Sequence, residues 1–469
     1  MLTNSPARVL GTFALAMISV AAIIDLRGLP LMASMGLSSV FFYLAAALLF
    51  LIPSGLVCAE LATTYPQAGG VYLWVRRAFG DNLGLLAIWL EWINNVISFP
   101  AALSSMAATL AYLVNPHLAQ NKLYIFICTI IILWSATFYN LLGIKASSRL
   151  NIFGALFGTL IPGAIIVLLG GYWLLSHQAS QIALNTSQII PTMHFSNFIF
   201  FAGVISGYAG MQITAFHAQN VINPQRSFTR AIFIAVILIL FTTILGSLAI
   251  AVVVPKQQLS LVAGLIEGFS AFFNQFHIAW AVPVLVFLIV LGGFSSLSAW
   301  ILGPARGLCV AAKNGHVFKA FAQESKNGVP VTILIVQGFI ATLFASLFLY
   351  LPNANTAFWM LIDMSSQSTV LMYILLFSSV LCLRYREKNI IRPFKIPGGI
   401  VGVWIVVVPA IIVCIGALIT SFTLPTNLAS SGELAHYETI LVGSTILYLL
   451  LPLIAIRFLL RKQFTSQFE

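Results

Sequence analysis

Ala22-Ile23-Ile24-Asp25-Leu26-Arg27-Gly28-Leu29-Pro30 lies inside an apolar run that begins near Val9 and continues to Met35. An acid, a base, a glycine and a proline fall within six residues, at a depth where a helix would be crossing a bilayer. Pro30 suits the first turn of a new helix, where its missing N–H is harmless, and Gly28 permits a break. We read the segment as two half-helices joined by an unwound stretch near Asp25–Gly28. Non-helical backbone at membrane depth is tolerated only where it faces protein or water. Asp25 and Arg27 either pair with each other, since residues two apart share a side in extended chain, or leave Arg27 facing a pocket; the second is the preferred reading.

The rest of the chain supplies the membrane setting. Of 469 residues, 60% are hydrophobic and 7% charged, against about 25% charged in a soluble domain. A bilayer core about 30 Å thick needs roughly 20 apolar residues per helix, and such runs follow one another almost end to end. Ile232–Val254 and Val401–Leu424 are continuous, not the alternating ten-residue segments of a transmembrane barrel. The fold class is an all-α polytopic membrane protein. Its helices are expected at Arg8–Met35, Gly36–Thr63, Asn82–Val114, Lys122–Leu142, Ser148–Leu175, Phe195–Ala218, Phe228–Val254, Ala279–Ala312, Pro330–Leu351, Thr356–Arg384, Gly399–Phe422 and His436–Leu460, which we number spans 1 to 12. The first run lacks a small-residue cleavage site and reads as a retained helix, not a signal peptide.

Charge tests the count. Of 22 Lys and Arg, 19 fall on one side of these spans, Lys122 and Lys256 on the other, and Arg27 within span 1. The positive-inside rule makes the rich side cytoplasmic, with both termini there. The same rule accounts for the net charge of +11, so no nucleic-acid partner is implied. Cys58, Cys128, Cys309, Cys382 and Cys414 lie in or beside apolar runs without zinc or CxxC spacing. No HExxH, GxSxG or P-loop motif is present, so neither an enzyme nor a cofactor or metal is expected. The short loop Gln219–Ser227 between spans 6 and 7 disfavours a major-facilitator transporter.

Acids at membrane depth are Asp25, Glu91 and Asp363, with Glu60 near the inner end of span 2. Such residues are functional candidates or members of buried ion pairs. Span 6 carries a second weak point, Ser206-Gly207-Tyr208-Ala209-Gly210-Met211-Gln212. Spans 1 and 6 correspond if the first ten spans are two five-helix repeats, and interrupted helices at matching places point to a transporter site. A broken helix offers N–H groups to a carboxylate and C=O groups to an ammonium. Two breaks side by side therefore fit an α-amino acid. An Arg27 facing that site would favour substrates with a second negative or polar group.

The sequence resembles the glutamate:γ-aminobutyrate antiporter family of the amino acid–polyamine–organocation superfamily from about residue 8 to 460. The resemblance rests on Ile52-Pro53-Ser54-Gly55-Leu56, Ala59-Glu60-Leu61, Gly69-Gly70-Val71-Tyr72-Leu73-Trp74-Val75 and Asn223-Pro224-Gln225-Arg226. Ala299-Trp300-Ile301-Leu302-Gly303-Pro304-Ala305-Arg306-Gly307, Asn327-Gly328-Val329-Pro330-Val331-Thr332 and Phe394-Lys395-Ile396-Pro397-Gly398-Gly399 complete it. It implies the LeuT-like five-plus-five inverted-repeat fold, with repeats over 8–175 and 195–384 and accessory helices over 399–460. It also implies amino-acid exchange in a bacterial cytoplasmic membrane. The substrate's α-groups should then meet backbone around Ile23, Ile24, Asp25 and Leu26 and at Ser206, Gly207, Tyr208, Ala209 and Gly210, with Asn95 and Trp300 lining the site beside Arg27.

Some relatives carry glutamate where Gln212, Asn220 and Ser296 stand. Gln212 cannot titrate, so Glu91, Asp25 and Asp363 are the remaining ionisable coupling candidates, with Gln212 and Ser296 at positions of interest. Asp363 and Gln367 share one face of span 10. Ser295, Ser296 and Ser298 offer hydroxyl oxygens for a sodium site in the alternative of an ion-coupled symporter. A non-transporting amino-acid sensor with the same fold is the other alternative.

Overall fold

The computed structural model describes residues 11–67, 69–143, 150, 153–183, 185–191, 195–214, 221–256, 259–260, 262–351, 353–422, 437–452 and 454. Arg8, Lys145, Arg149, Asn220, Arg457, Arg461 and Lys462 lie outside the described residues, as do the expected ends of spans 6 and 12. No β-strand occurs among the described residues. Among the described residues, ten helical segments are long and apolar enough to cross a membrane: Thr12–Ala33, Ser38–Thr64, Asp81–Ala111, Lys122–Leu141, Leu156–Leu175, Arg226–Val253, Ala279–Lys313, Val331–Tyr350, Ala354–Arg386 and Gly399–Thr420. They are spans 1 to 5 and 7 to 11. Span 6 is represented by Phe195–Gly207 and span 12 by the shorter apolar helix Tyr437–Pro452.

Proline shapes two of the spans. Pro53 and Pro162 each lack an N–H and crowd the carbonyl four residues back. The turns just before them widen to π-helix, over Ala47–Leu51 in span 2 and Gly154–Leu160 in span 5. Such one-turn widenings keep a helix continuous where the regular ladder cannot close. Span 9 is interrupted at Ser346, dividing into Val331–Ala345 and Leu347–Tyr350.

Two helices lie where the sequence reading placed only loops. Val71–Phe79 follows span 2, starts after Gly70 (φ 49°) and stops at Gly80 (φ 93°). It buries Val71, Tyr72, Trp74, Val75 and Ala78 on one face, too short a stripe to stand out among the membrane runs. Gly264–Gln275 follows span 7 and buries Leu265, Ile266, Phe269, Phe272 and Phe273.

Span 3 packs along spans 8 and 10, and the first half of span 1 packs on span 7. Spans 5 and 8 meet backbone to backbone. A Cβ on Gly158 would fall 2.1 Å from the Gly292 nitrogen, and one on Gly154 would fall 2.0 Å from Ser295 Cβ. Lipid supplies no hydrophobic drive between helices, so close approach through small residues is how such pairs gain contact.

Candidate substrate site

Span 1 is helical over Thr12–Ile23, extended at Ile24 (φ −71°, ψ 103°) and Asp25 (φ −110°, ψ 102°), then 3₁₀ over Leu26–Gly28 and helical again over Leu29–Ala33. Pro30 stands in the first turn of that second half, as its chemistry requires. The Asp25 carboxylate caps the turn, accepting from the Arg27 backbone N–H at 3.0 Å. Gly28 is in an ordinary right-handed conformation (φ −80°) with open space around its missing side chain. The backbone is thus extended at Ile24 and Asp25 and 3₁₀ through Gly28, over the stretch expected to be unwound, and the freedom that Gly28 offers is not used.

Span 6 ends its helix at Gly207 and turns through Tyr208, Ala209 and Gly210. Gly210 has φ +146°, and a Cβ there would sit 2.8 Å from Ile23 Cγ1. The two breaks thus touch. The Gly210 N–H donates to Tyr373 Oη at 3.0 Å, and that hydroxyl donates to Gln212 Oε1.

Between them lies a cavity of about 230 Å³, smaller than the roughly 300–1,000 Å³ of sites for drug-sized ligands. Of the residues singled out in the sequence, Ile23, Asp25, Arg27, Asn95, Ser206, Gly207, Tyr208, Ala209, Ser296 and Trp300 line it. Ile24, Leu26 and Gly210 do not; they pack behind the breaks, Leu26 toward Gly163 of span 5.

The Asp25–Arg27 alternative resolves toward a pair. Arg27 Nε and Nη2 donate to the two carboxylate oxygens of Asp25 at 2.6 and 3.0 Å, and Nη1 donates to the Ala102 carbonyl of span 3 at 3.0 Å. The Arg27 side chain is 12% exposed and bonded through all three of its nitrogens, while the Asp25 side chain is 47% exposed on the cavity wall. Arg27 lines the cavity and is paired at the same time: an aspartate two residues away on an extended backbone offers a bidentate partner at once.

The coupling candidates separate. Glu91 is fully buried in span 3, with neither carboxylate oxygen in a hydrogen bond. The Gln212 side chain is its polar neighbour, and the Glu91 carbonyl accepts from Asn95 Nδ2 at 2.8 Å. Asp363 turns from the cavity and accepts from Tyr437 Oη at 2.6 Å. On the same face Gln367 Oε1 accepts from Thr445 and Tyr448, so this stripe of span 10 fastens span 12. Ser298 donates to Asn140 Oδ1 at 2.9 Å.

Sequence reasoning missed Tyr43, Asn94, Ser98, Phe99, Trp359 and Ser365, which also line the cavity. Ser365 Oγ donates to Asn94 Oδ1 at 2.7 Å, joining spans 3 and 10. The signal was present: Asn94, Asn95 and Ser98, and Ser365, Ser366 and Thr369, form polar stripes at helical spacing in apolar spans.

At the expected cytoplasmic end, Glu60 resolves as a buried ion-pair member. Its carboxylate accepts from Arg384 and from the Ile396 N–H, with Arg392 Nε 3.4 Å away. Beside it Glu387 accepts from Arg77 and Tyr65. Burial alone would raise the Glu387 carboxyl, but the bonds from Arg77 and Tyr65 outweigh it and hold it below the usual glutamate range. Burial and the same contact with Glu387 push the Tyr65 hydroxyl up to about 12.

Comparison with known proteins agrees with this architecture. An uncharacterized transporter of Legionella pneumophila is 41% identical over 449 residues, covering 96% of this chain and 97% of that protein. A glutamate/gamma-aminobutyrate antiporter of Lactococcus lactis is 30% identical over 431 residues, 91% and 86% of the two chains. A probable agmatine/putrescine antiporter of the same species is 26% identical over 408 residues, 86% and 85% of the two chains. These relatives are transporters, not enzymes. The amino acid permease family model matches residues 10–458, and the chain belongs to that family as an integral membrane transporter of the superfamily its motifs resemble.

Proposed function

We propose that this protein exchanges amino acids by alternating access, with the substrate's α-groups held between the two breaks. The observation that carries this reading is the contact of Gly210 with Ile23, which brings both unwound segments to one small cavity. The last carbonyls of Thr12–Ile23 and Phe195–Gly207 lack partners within their own helices and suit an ammonium. The N–H groups that follow each break suit a carboxylate. Asn95 and Trp300 wall the same space. The antiporter relatives favour exchange over one-way uptake. The twelve spans would then be two five-helix repeats over 8–175 and 195–384 plus two accessory helices over 399–460, in a bacterial cytoplasmic membrane with both termini cytoplasmic.

Glu91 is the buried coupling candidate behind this site, since it sits one helical turn from Asn95 and beside Gln212. The test is uptake of labelled amino acids into proteoliposomes. Exchange requires uptake to rise sharply when the vesicles are preloaded with a counter-substrate. Equal uptake into empty vesicles under a sodium gradient would make the protein a symporter, and binding without flux would make it a sensor. A Glu91→Gln protein that exchanges with an unchanged pH profile would remove Glu91 from the coupling role.

A further inference from the structure

Arg27 is the only base and Asp25 the only acid among the described residues that line the cavity. Each occupies the other. Three of the five guanidinium N–H groups are used, two by Asp25 and one by the Ala102 carbonyl, and the charge of Arg27 is already met by a carboxylate. Both Asp25 oxygens already accept from that guanidinium, and Asp25 Oδ1 also takes the Arg27 backbone N–H. The remaining walls are neutral: amide and hydroxyl from Asn94, Ser98 and Ser365, and rings from Phe99, Trp300 and Trp359.

From this we infer that the cavity selects an amino acid with an uncharged side chain, and that the Asp25–Arg27 pair is the specificity determinant. The inference rests on the substrate site proposed above. An acidic side chain would enter beside the half-exposed Asp25 carboxylate with no unpaired cation to meet it. A basic side chain would meet a carboxylate already neutralised by a guanidinium. In either case the ligand's charge leaves water to meet no opposite charge that is not already neutralised, and an uncompensated charge in a confined site is costly. An uncharged side chain loses little, because amides, hydroxyls and aromatic faces accept polar and apolar groups alike.

The pair also explains how one position can set the preference. Asp25→Asn keeps the shape and the cap acceptor but removes the negative charge, leaving the guanidinium as an unneutralised cation at the cavity wall. Glutamate should then gain where it was excluded.

The experiment measures binding apart from transport. The purified protein is tested by thermal shift with leucine, glutamine, glutamate and lysine in turn, and then by competition among them. Leucine or glutamine should raise the melting temperature, with glutamate and lysine weaker. In Asp25→Asn, glutamate should improve against leucine and glutamine by about tenfold or more. Preference of the unaltered protein for glutamate or lysine would overturn the inference. So would a folded Asp25→Asn protein with the original ranking. If that variant does not fold, the ranking in the unaltered protein decides alone. Failure of all four to bind would overturn the inference together with the proposed site. Selective binding of the neutral pair without counter-substrate stimulation would uphold the inference and reject exchange.

Discussion

In span 1 the chain leaves its helix through two extended residues, and a charged side chain holds the gap. Asp25 caps the following turn and grips Arg27, while its side chain stays 47% exposed on the cavity wall. In span 6 the turn depends on backbone that L side chains rarely adopt, Gly210 at φ +146°. There the gap is closed by a buried neutral chain, from the Gly210 N–H to the Tyr373 hydroxyl to Gln212. The first break is held mainly by its own neighbours in sequence, with one bond from Arg27 to Ala102 of span 3; the second is held by span 10, 163 residues away. Local charge makes a wall that a ligand can sense, whereas a distant hydrogen bond fixes geometry without presenting charge.

The contrast is tested first at its most demanding atom. Gly210→Ala should abolish exchange and lower the melting temperature sharply. The added Cβ meets Ile23 Cγ1 at 2.8 Å, and the unfavourable backbone alone costs about 1–3 kcal/mol. A stable, active alanine variant would show that the span 6 break needs no glycine. Tyr373→Phe comes next. It leaves the Gly210 N–H and Gln212 Oε1 without the partner that joins them, inside the protein, at a cost of about 1–3 kcal/mol. Thermal denaturation together with exchange rate would read it, and an unchanged protein would mean the chain of bonds holds nothing.

Asp25→Asn should cost less, about 1 kcal/mol, because the Asp25 side chain is 47% exposed and asparagine keeps the cap acceptor, although the 12% exposed Arg27 loses its counter-charge. Its signature is the substrate ranking and not the melting temperature, so a large loss of stability would show the span 1 break to be as buried as the other. The smallest effect belongs to Gly28→Ala. Gly28 has right-handed backbone and open space, so alanine should change stability by less than about 1 kcal/mol. Damage equal to that of Gly210→Ala would erase the distinction between the two breaks.

Much of this was legible in the residues because the underlying rules are local. Runs of apolar residues mark spans, and basic residues mark one face. Asp25, Gly28 and Pro30 mark an interruption in span 1, and Ser206 through Gly210 mark one in span 6. Whether Arg27 is paired was not legible because pairing depends on backbone direction: an extended Asp25 turns its carboxylate onto the guanidinium, and a helical one would not. Glu60 shows the same limit, since its partners Arg384 and Ile396 lie more than 300 residues on.

The sequence by itself determined that the chain is a helical membrane protein with broken spans 1 and 6, because bilayer thickness and backbone satisfaction act on short stretches. Only the tertiary structure decided which glycine takes a backbone that L side chains rarely adopt, that Arg27 is paired with Asp25, that Glu91 is buried beside Gln212, and that Asp363 bonds span 12. Each of those depends on which side chain of a distant helix arrives at a given atom. Spacing along one helix shows which residues share a face, but not what that face meets.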